Sequence, residues 1–200
     1  RYRGFHIDCV RHFVSVEELK RLIDAMSLVG YNYFHWHLTD DQGWRFAVPG
    51  YDRLETISST RYIYDNNDQK HVHKGLYSRE DLEAIEEFSK ERGITVIPEM
   101  ETPGHAEALL SAYPEFGCTG KEIPVQNNWG VFENVMNPSS PELWVFLEKA
   151  IAELASIFHG PFIHIGGDEC PHKQWEDHQG CRKIMEEYGL KDTNELQGWF

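Results

Sequence analysis

The sequence predicts an α/β fold, a (β/α)8 barrel of which residues 1–200 supply about the first four β/α units. Strand patterns alternate with helix patterns in the order β-α-β-α-β-α-β-α, which implies parallel strands joined by right-handed crossovers. No GxGxxG or GxxxxGK[ST] motif is present, so neither a dinucleotide-binding fold nor a P-loop is supported. Ionisable residues directly follow every predicted strand, and barrel enzymes build their active sites at that end of the strands.

The predicted strands are short apolar, β-branched or aromatic runs. They cover residues 3–10, 31–38, 94–100 and 162–165. Three helices between them carry apolar stripes at helical spacing. Ser15 with Glu18 and Ser78 with Asp81 form capping boxes, and the third helix begins at Pro141. The other predictions are helices at 106–112, 180–188 and 193–200 and irregular segments at 46–77, 113–138 and 171–181.

The composition excludes two classes of protein. The chain has 33 acidic and 19 basic residues and a net charge of −14, which argues against a nucleic-acid-binding surface. It has no run of 18 apolar residues, so the sequence predicts no membrane span. The length suits one domain. The chain begins with Arg1 and continues directly into a strand, so we expect it to be part of a longer protein.

Four cysteines are present, and their spacing does not suit a zinc site. Cys170 and Cys181 could form one disulfide. Free or buried thiols are an equally good explanation for them.

Residues 162–170 contain the strongest chemical signal. An apolar strand pattern ends in Gly166 and Gly167, where the backbone can turn sharply, and Asp168 and Glu169 follow at once. Beyond a strand end, neighbouring side chains no longer have to point to opposite faces, so the two acids can converge on one ligand. A solvated acidic loop is the alternative explanation for this pair.

Ionisable residues also follow the other strands. Arg11 follows the first, Asp40 the second and His105 the third, so in a barrel they meet Asp168 and Glu169. This group suits acid–base chemistry without a metal, because burial and neighbouring carboxylates can keep one acid protonated at neutral pH. Alternatively, Arg11 pairs with a core acid and His105 caps the helix after it. No Ser or Cys lies with a His in a nucleophile elbow, so acyl transfer lacks support.

Other residues near the strand ends have competing explanations. His35 and His37 lie on one face of the second strand and could hold a metal ion, but we favour core histidines that form hydrogen bonds inside the barrel. Asp41 and Glu101 are interpreted as structural acids. Three tryptophans are interpreted as packing residues rather than as platforms for sugar rings: Trp36, Trp44 and Trp129.

Four motifs resemble those of the family 20 glycoside hydrolases, the β-N-acetylhexosaminidases. They are RHF at 11–13, HWHLTDDQGWR at 35–45, PEMETPGH at 98–105 and HIGGDE at 164–169. The resemblance spans the whole chain and covers the first half of that family's catalytic domain. It implies a (β/α)8 barrel and a retaining mechanism that uses no enzymic nucleophile and no cofactor.

The resemblance also implies a role for each matching residue. Glu169 would protonate the glycosidic oxygen while the 2-acetamido oxygen of the substrate attacks the anomeric carbon and forms an oxazolinium ion. Asp168 would orient that acetamido group and stabilise its charge. Arg11 would bind the 3- and 4-hydroxyls of the sugar, and Asp40 and His105 would form hydrogen bonds that tune the acid.

One position departs from the family pattern, because Glu101 stands where the family usually has Asp. The implied partners are glycans that end in N-acetylglucosamine or N-acetylgalactosamine, and the implied location is secreted, periplasmic, cell-surface or, in a eukaryote, lysosomal. We expect residues 1–200 alone to be inactive and poorly soluble, because open strand edges and an uncovered apolar face invite association. Two alternative functions are a metal-dependent barrel hydrolase that uses His35 and His37 and a non-catalytic sugar-binding module.

Overall fold

The computed structural model describes all of residues 1–200 and has the expected α/β composition. Its strands are β1 Gly4–Asp8, β2 Tyr33–His37, β3 Thr39–Asp40, β4 Gly43–Trp44, β5 Thr60–Tyr64, β6 Lys70–Lys74 and β7 Thr95–Glu99. Its helices are α1 Val16–Leu28, α2 Arg79–Lys90, α3 Glu107–Ala112, α4 Pro141–Ile157, α5 Lys173–Asp177, α6 Gln179–Tyr188 and α7 Thr193–Trp199. None of the helices combines the length and apolar composition that crossing a membrane requires.

The three long helices begin where the sequence predicts. Ser15 with Glu18 and Ser78 with Asp81 form reciprocal capping boxes, which satisfy backbone N–H groups that have no partner within the helix. Ser140 caps α4, whose first residue is a proline. The apolar stripes of these helices pack on the central sheet and supply 11 of the 31 buried residues of the core.

The central sheet is parallel and has the order β1-β2-β7. Side chains alternate across it, so Phe34 and Trp36 enter the apolar core under the helices while His35 and His37 point to the opposite face. The strand register places Asp8, His37 and Glu99 side by side. The face away from the helices is therefore polar, so the prediction of an uncovered apolar face is wrong. Of the two causes given above for poor solubility, only the open strand edges remain.

The predicted fourth strand at 162–165 is reduced to a single parallel bridge between His164 and Glu99. His164 N–H donates to the Pro98 carbonyl at 2.9 Å, and Met100 N–H donates to the His164 carbonyl at 3.0 Å. No strand pairs with the outer edge of this segment, and positive φ angles at Gly166 and Gly167 turn the backbone away directly after it. Residues 1–200 therefore show three parallel strands and one bridged segment instead of four full strands.

The segment 46–77, predicted to be irregular, contains an antiparallel hairpin. Strands β5 and β6 pair from Thr60–Lys74 to Tyr64–Lys70, and Asp65 Oδ1 accepts hydrogen bonds from turn N–H groups between them. The hairpin was missed because its strands are mostly exposed and lack the apolar face that identifies a strand in sequence. Similarly, the predicted loop 171–181 contains the short helix α5.

The cysteines and tryptophans test two further predictions. All four cysteines are free thiols, so Cys170 and Cys181 do not form the disulfide that was considered. Trp36 and Trp44 are buried, which confirms that they are packing residues. Trp129 is 70% exposed, so the packing interpretation is wrong for that residue.

Arg45 is fully buried and bonds only to backbone carbonyls. Its guanidinium donates to Cys9 O at 3.1 Å, to Ser59 O and Gly75 O at 2.9 Å, and to Val10 O. Burial lowers its pKa to about 10, so it remains charged at neutral pH. Through these bonds, Arg45 joins the loop that follows β1 to both ends of the β5–β6 hairpin.

We expect Arg45→Lys to lower the free energy of unfolding by at least about 3 kcal/mol, because one ammonium group cannot reach four carbonyls and leaves several of them buried without a donor. Urea titration of the full-length protein measures this change. Arg79→Lys is the control, because Arg79 is partly exposed and its ion pairs contribute at most about 1 kcal/mol. Equal effects of the two substitutions would contradict the assignment of Arg45.

Candidate active site

A cleft of 510 Å³ lies on the polar face of the sheet, extending to the carboxyl ends of its strands. Twelve residues line it and none of them is hydrophobic: His6, Arg11, His35, His37, Asp40, Glu99, Glu101, His105, His164, Gly166, Asp168 and Glu169. All five predicted site residues are in this set. The structure therefore brings them together, while their individual roles stay predictions.

Arg11 is held by three acceptors. Its Nη2 lies 2.6 Å from Asp40 Oδ2, its Nη1 lies 3.1 Å from Asp8 Oδ2, and its Nε donates to Gln42 Oε1 at 2.7 Å. Burial opposes ionisation of Asp8, but backbone N–H donors and the charge of Arg11 outweigh it and keep the pKa of Asp8 below its usual value. A guanidinium has five N–H donors, so two remain for a ligand. Arg11 therefore does pair with a core acid, Asp40, as the alternative expects, and this pairing is compatible with ligand binding.

His105 joins two pairs of acids. Its Nδ1 lies 2.9 Å from Asp41 Oδ2 and 3.4 Å from Asp40 Oδ1, and its Nε2 lies 3.5 Å from Glu169 Oε2 and 3.9 Å from Asp168 Oδ2. Hydrogen bonds to Asp40 and Asp41 raise the pKa of His105 to about 11 despite its burial. The ring is therefore a cation at neutral pH, with an N–H group facing each pair.

The alternative role of His105 as a helix cap is wrong. Ala106 is the N-cap residue of α3, and no side chain caps that position. Asp41 accepts the Glu107 N–H at 3.1 Å and thus binds the start of the helix. Asp41 also makes the shortest contact with His105. The sequence analysis did not predict this role of Asp41 in the site. Burial raises the pKa of Asp41, although the bond from His105 opposes this.

Asp168 and Glu169 sit on a sharply bent backbone. Gly166, Gly167 and Glu169 have φ angles of 71°, 106° and 45°, and a Cβ on Gly166 would overlap the carboxyl group of Glu101. A positive φ at a residue other than glycine costs roughly 1–3 kcal/mol, so this conformation is held by its surroundings. The side chains of Asp168 and Glu169 are 69% and 59% exposed, and both face the cleft.

Glu99 is a second residue that the sequence analysis missed. Its buried carboxyl group lies 2.8 Å from His35 Nε2 and 2.8 Å from His164 Nδ1, with His6 Nε2 at 3.6 Å and His37 Nδ1 at 3.8 Å. Burial opposes its ionisation, but His35, His6 and His37 outweigh burial and hold the pKa of Glu99 well below its usual range. In the sequence, the only sign of this role of Glu99 is that it is a single acid inside the apolar run 94–100.

The favoured interpretation of the β2 histidines is confirmed for His37, which is buried and hydrogen-bonded, while His35 is partly exposed and lines the cleft. His37 Nε2 lies 2.8 Å from the Thr39 carbonyl, and His35 contacts Glu99. Burial lowers the pKa of His37. The neutral ring can donate from Nε2 to this carbonyl.

Glu101 is a buried acid that keeps its proton. Burial, followed by the neighbouring Glu99, Asp168 and Asp40, raises its pKa from the usual 4.5 to about 9. Glu99 and Glu101 therefore differ in protonation although they are two residues apart. Each environment decides the state, because histidines surround Glu99 and acids surround Glu101.

Four groups of three side chains could each hold a metal ion, with ligand atoms within 4.8 Å of one another. They are His6–His35–Glu99, His37–Glu99–Glu101, Asp40–Asp41–His105 and His105–Asp168–Glu169. His35 and His37 belong to different groups, so they do not form the shared metal site of the alternative hydrolase hypothesis.

The chain is similar to a known enzyme family along its whole length. A family model described as "Glycosyl hydrolase family 20, catalytic domain" matches residues 1–200. A beta-hexosaminidase of Porphyromonas gingivalis is 43% identical, and the match covers 100% of this chain and 25% of that protein. A beta-hexosaminidase of Akkermansia muciniphila is 38% identical, over 97% of this chain and 39% of that protein. The chain thus spans only a quarter to two-fifths of these relatives.

Solved structures give the same result. A crystal structure of a beta-N-acetylhexosaminidase superposes with a TM-score of 0.93 at 38% identity, covering 98% of this chain and 41% of the other. An exo beta-N-acetylglucosaminidase of Vibrio harveyi, solved in complex with N-acetylglucosamine, superposes with a TM-score of 0.85 at 36% identity, covering 100% of this chain and 32% of the other.

We expect Glu101→Gln to stabilise the full-length protein more at pH 8 than at pH 5. The unfolded carboxyl loses its proton near pH 4.5 and the folded one near pH 9, so the contribution of Glu101 to stability is present below pH 4.5 and is lost as the pH rises towards 9. Glutamine has no such loss. Melting temperatures at the two pH values measure the effect, and Glu115→Gln, on the exposed surface, is the control. A gain that does not grow with pH would contradict the protonated state.

Proposed function

The chain belongs to glycosyl hydrolase family 20, and we propose that the protein containing it is a retaining β-N-acetylhexosaminidase. Its substrates would be glycans with a terminal N-acetylglucosamine or N-acetylgalactosamine. The observation that carries this proposal is the adjacent pair Asp168 and Glu169, which faces the His105 cation in a wholly polar cleft. The beta-hexosaminidase names of the relatives support it.

Membership of this family implies a catalytic domain of the (β/α)-barrel type. We propose that residues 1–200 are the N-terminal half of that barrel and contain about four of its β/α units. Three parallel strands and the bridged segment at His164 support this count. A location outside the cytoplasm stays a prediction that rests on the family resemblance.

In the proposed reaction, Glu169 donates a proton to the glycosidic oxygen as the bond from that oxygen to the anomeric carbon breaks. The acetamido oxygen of the substrate forms the new bond to this carbon and gives an oxazolinium ion. Water then attacks the same carbon and loses a proton to Glu169, which restores the acid. Two displacements at one carbon retain the configuration, and no step requires a metal or a cofactor.

The geometry around His105 suits this proton transfer. Glu169 Oε2 lies 3.5 Å from the His105 ring nitrogen, so this cation would stabilise the carboxylate that Glu169 becomes when it gives up its proton. The same cation lies 3.9 Å from Asp168, the carboxyl group that we propose orients the acetamido group. Asp40 and Asp41 balance the charge of His105 on the other side.

Arg11 would bind the 3- and 4-hydroxyls of the terminal sugar through its two remaining N–H donors. Asp40 contacts Arg11 at 2.6 Å and His105 at 3.4 Å, so one carboxylate links the proposed sugar-binding group to the proposed acid–base group. Sugar position and proton transfer are therefore fixed by the same buried acid.

Hydrolysis of a chromogenic N-acetyl-β-glucosaminide by the full-length protein tests the proposal. Turnover contradicts the alternative of a non-catalytic sugar-binding module. Turnover that survives EDTA treatment contradicts the metal-dependent alternative. Absence of turnover on both the gluco and galacto substrates would overturn the proposed function.

We expect Glu169→Gln to lose roughly 10²–10⁴-fold in turnover on substrates with poor leaving groups, since that is the usual contribution of a positioned acid. Substrates with very good leaving groups need little protonation and should lose much less. A series of aryl glycosides of decreasing leaving-group pKa measures the trend. Equal losses across the series would count against Glu169 as the acid.

We expect Asp168→Asn to lower kcat and kcat/KM together, because its interaction with the acetamido group strengthens mainly in the transition state. A thiazoline that mimics the cyclised intermediate should bind the wild type far more tightly than substrate does, and the variant less tightly. Mass spectrometry provides the opposing test. A stable glycosyl ester on Asp168 would show an enzymic nucleophile, whose carboxyl group ordinarily lies roughly 5 Å from the acid across the scissile bond.

A further inference from the structure

Trp129 presents an exposed aromatic ring beside the candidate active site. The other five tryptophans are buried or partly buried. Its ring centroid lies 5.3 Å from the guanidinium carbon of Arg11. The cleft lining itself contains no hydrophobic residue, so this indole is an apolar surface at an otherwise polar site.

The backbone directly before Trp129 is held in place by residues of the hairpin. Arg61, which is buried, donates from Nη1 to Asn127 O at 3.1 Å. The Tyr62 N–H donates to Asn127 Oδ1 at 2.9 Å. The exposure of the ring is therefore a property of an anchored segment.

Gln42 connects this segment to Arg11. Its side-chain amide donates to Asn128 O at 2.8 Å and accepts the Arg11 Nε–H at 2.7 Å. Gln42 is itself 1% exposed, so the bridge is buried. One buried side chain therefore joins Arg11 to the backbone of the residue that precedes Trp129.

A sugar has two kinds of surface, hydroxyl groups and the C–H groups of its ring. Arg11 has two N–H donors left for hydroxyls, and a hydroxyl bonded to them lies about 3 Å from the guanidinium. That hydroxyl is then at the same end of the site as the indole. Aromatic faces pack on apolar C–H surface, and binding sites combine such faces with a few polar groups that fix orientation.

We propose that Trp129 is a sugar-binding platform that packs against the C–H surface of the terminal N-acetylhexosamine, on the side where Arg11 binds its hydroxyls. This inference deepens the proposed function and rests on it for the identity of the sugar. The contact is present in the bound ground state as well as in the transition state. Its loss therefore weakens binding and leaves the chemical step largely intact.

The test uses the full-length protein and three variants, Trp129→Ala, Trp129→Phe and Tyr64→Ala. Tyr64 is the control, because it is an exposed aromatic residue on β5 that makes no aromatic or cation–π contact with Arg11 or Trp129. Calorimetry gives the dissociation constant of N-acetylglucosamine, and steady-state assays with its 4-nitrophenyl glycoside give kcat and KM. Melting temperatures report folding.

We expect Trp129→Ala to raise both the dissociation constant and KM about ten-fold, with kcat changed less than about two-fold, as for a group that binds ground and transition states alike. Trp129→Phe should keep most of the affinity, and Tyr64→Ala should match the wild type. All variants should melt near the wild-type temperature, because an exposed side chain contributes little to stability.

Unchanged affinity in Trp129→Ala overturns the platform, as does an equal loss of kcat in both Trp129 variants. Direct binding separates this inference from the proposed function. A protein that hydrolyses the glycoside but binds the sugar equally with and without Trp129 leaves the function standing and removes the platform. A protein that binds the sugar through Trp129 without hydrolysing any N-acetylhexosaminide leaves the platform standing and removes the function.

Discussion

The site depends on one buried carboxyl group, that of Glu99. A buried carboxylate needs polar partners close to it, and here nitrogens of four histidines lie within 3.8 Å of the Glu99 carboxyl oxygens. They come from β1, from β2 and from the segment that bridges to β7. A register shift of one residue would turn Glu99 towards the helices, where it would meet only apolar side chains. Electrostatics therefore supports the same strand register as the apolar pattern does.

The protonation states of the site follow outward from this group. Ionised Glu99 is among the acids that raise the pKa of its neighbour Glu101 to about 9, after burial itself. A neutral Glu101 adds no negative charge near Asp168 and Gly166. The backbone directly after them is strained, because Glu169 has a positive φ angle. His105, also at positive φ, carries the positive charge between the two acidic pairs. Glu99 and Glu101, two residues apart, thus keep different charges because their neighbours differ.

Much of this arrangement could be predicted from the sequence, because local signals and topology determine it. Capping residues such as Ser15 and Ser78 mark helix starts that depend on neighbouring atoms alone. Parallel strands bring their carboxyl ends together, which was enough to predict that Arg11, His105 and Glu169 meet. The hairpin β5–β6 could not be predicted in this way, because it lacks an apolar face.

The contacts of individual acids were harder to predict. Asp40 and Asp41 are adjacent and identical in type, and only the turn between β3 and β4 decides that both reach His105. In the sequence, Glu99 is a single acid in an apolar strand. Its histidine partners lie about 60 to 90 residues away along the chain, and only the strand pairing brings them together. The exposure of Trp129 depends on anchors at Gln42 and Arg61, far away in sequence.

The polar lining of the sheet has a thermodynamic consequence for completing the barrel. Most protein cores form by removing apolar surface from water, which gives folding its large heat-capacity change. The inner face described above carries histidines and acids instead. In the barrel proposed above, enclosing this face removes polar surface from water, and polar surface contributes to the heat capacity with the opposite sign. Closure of the barrel should therefore depend less on temperature than the packing of the helices on its outer side.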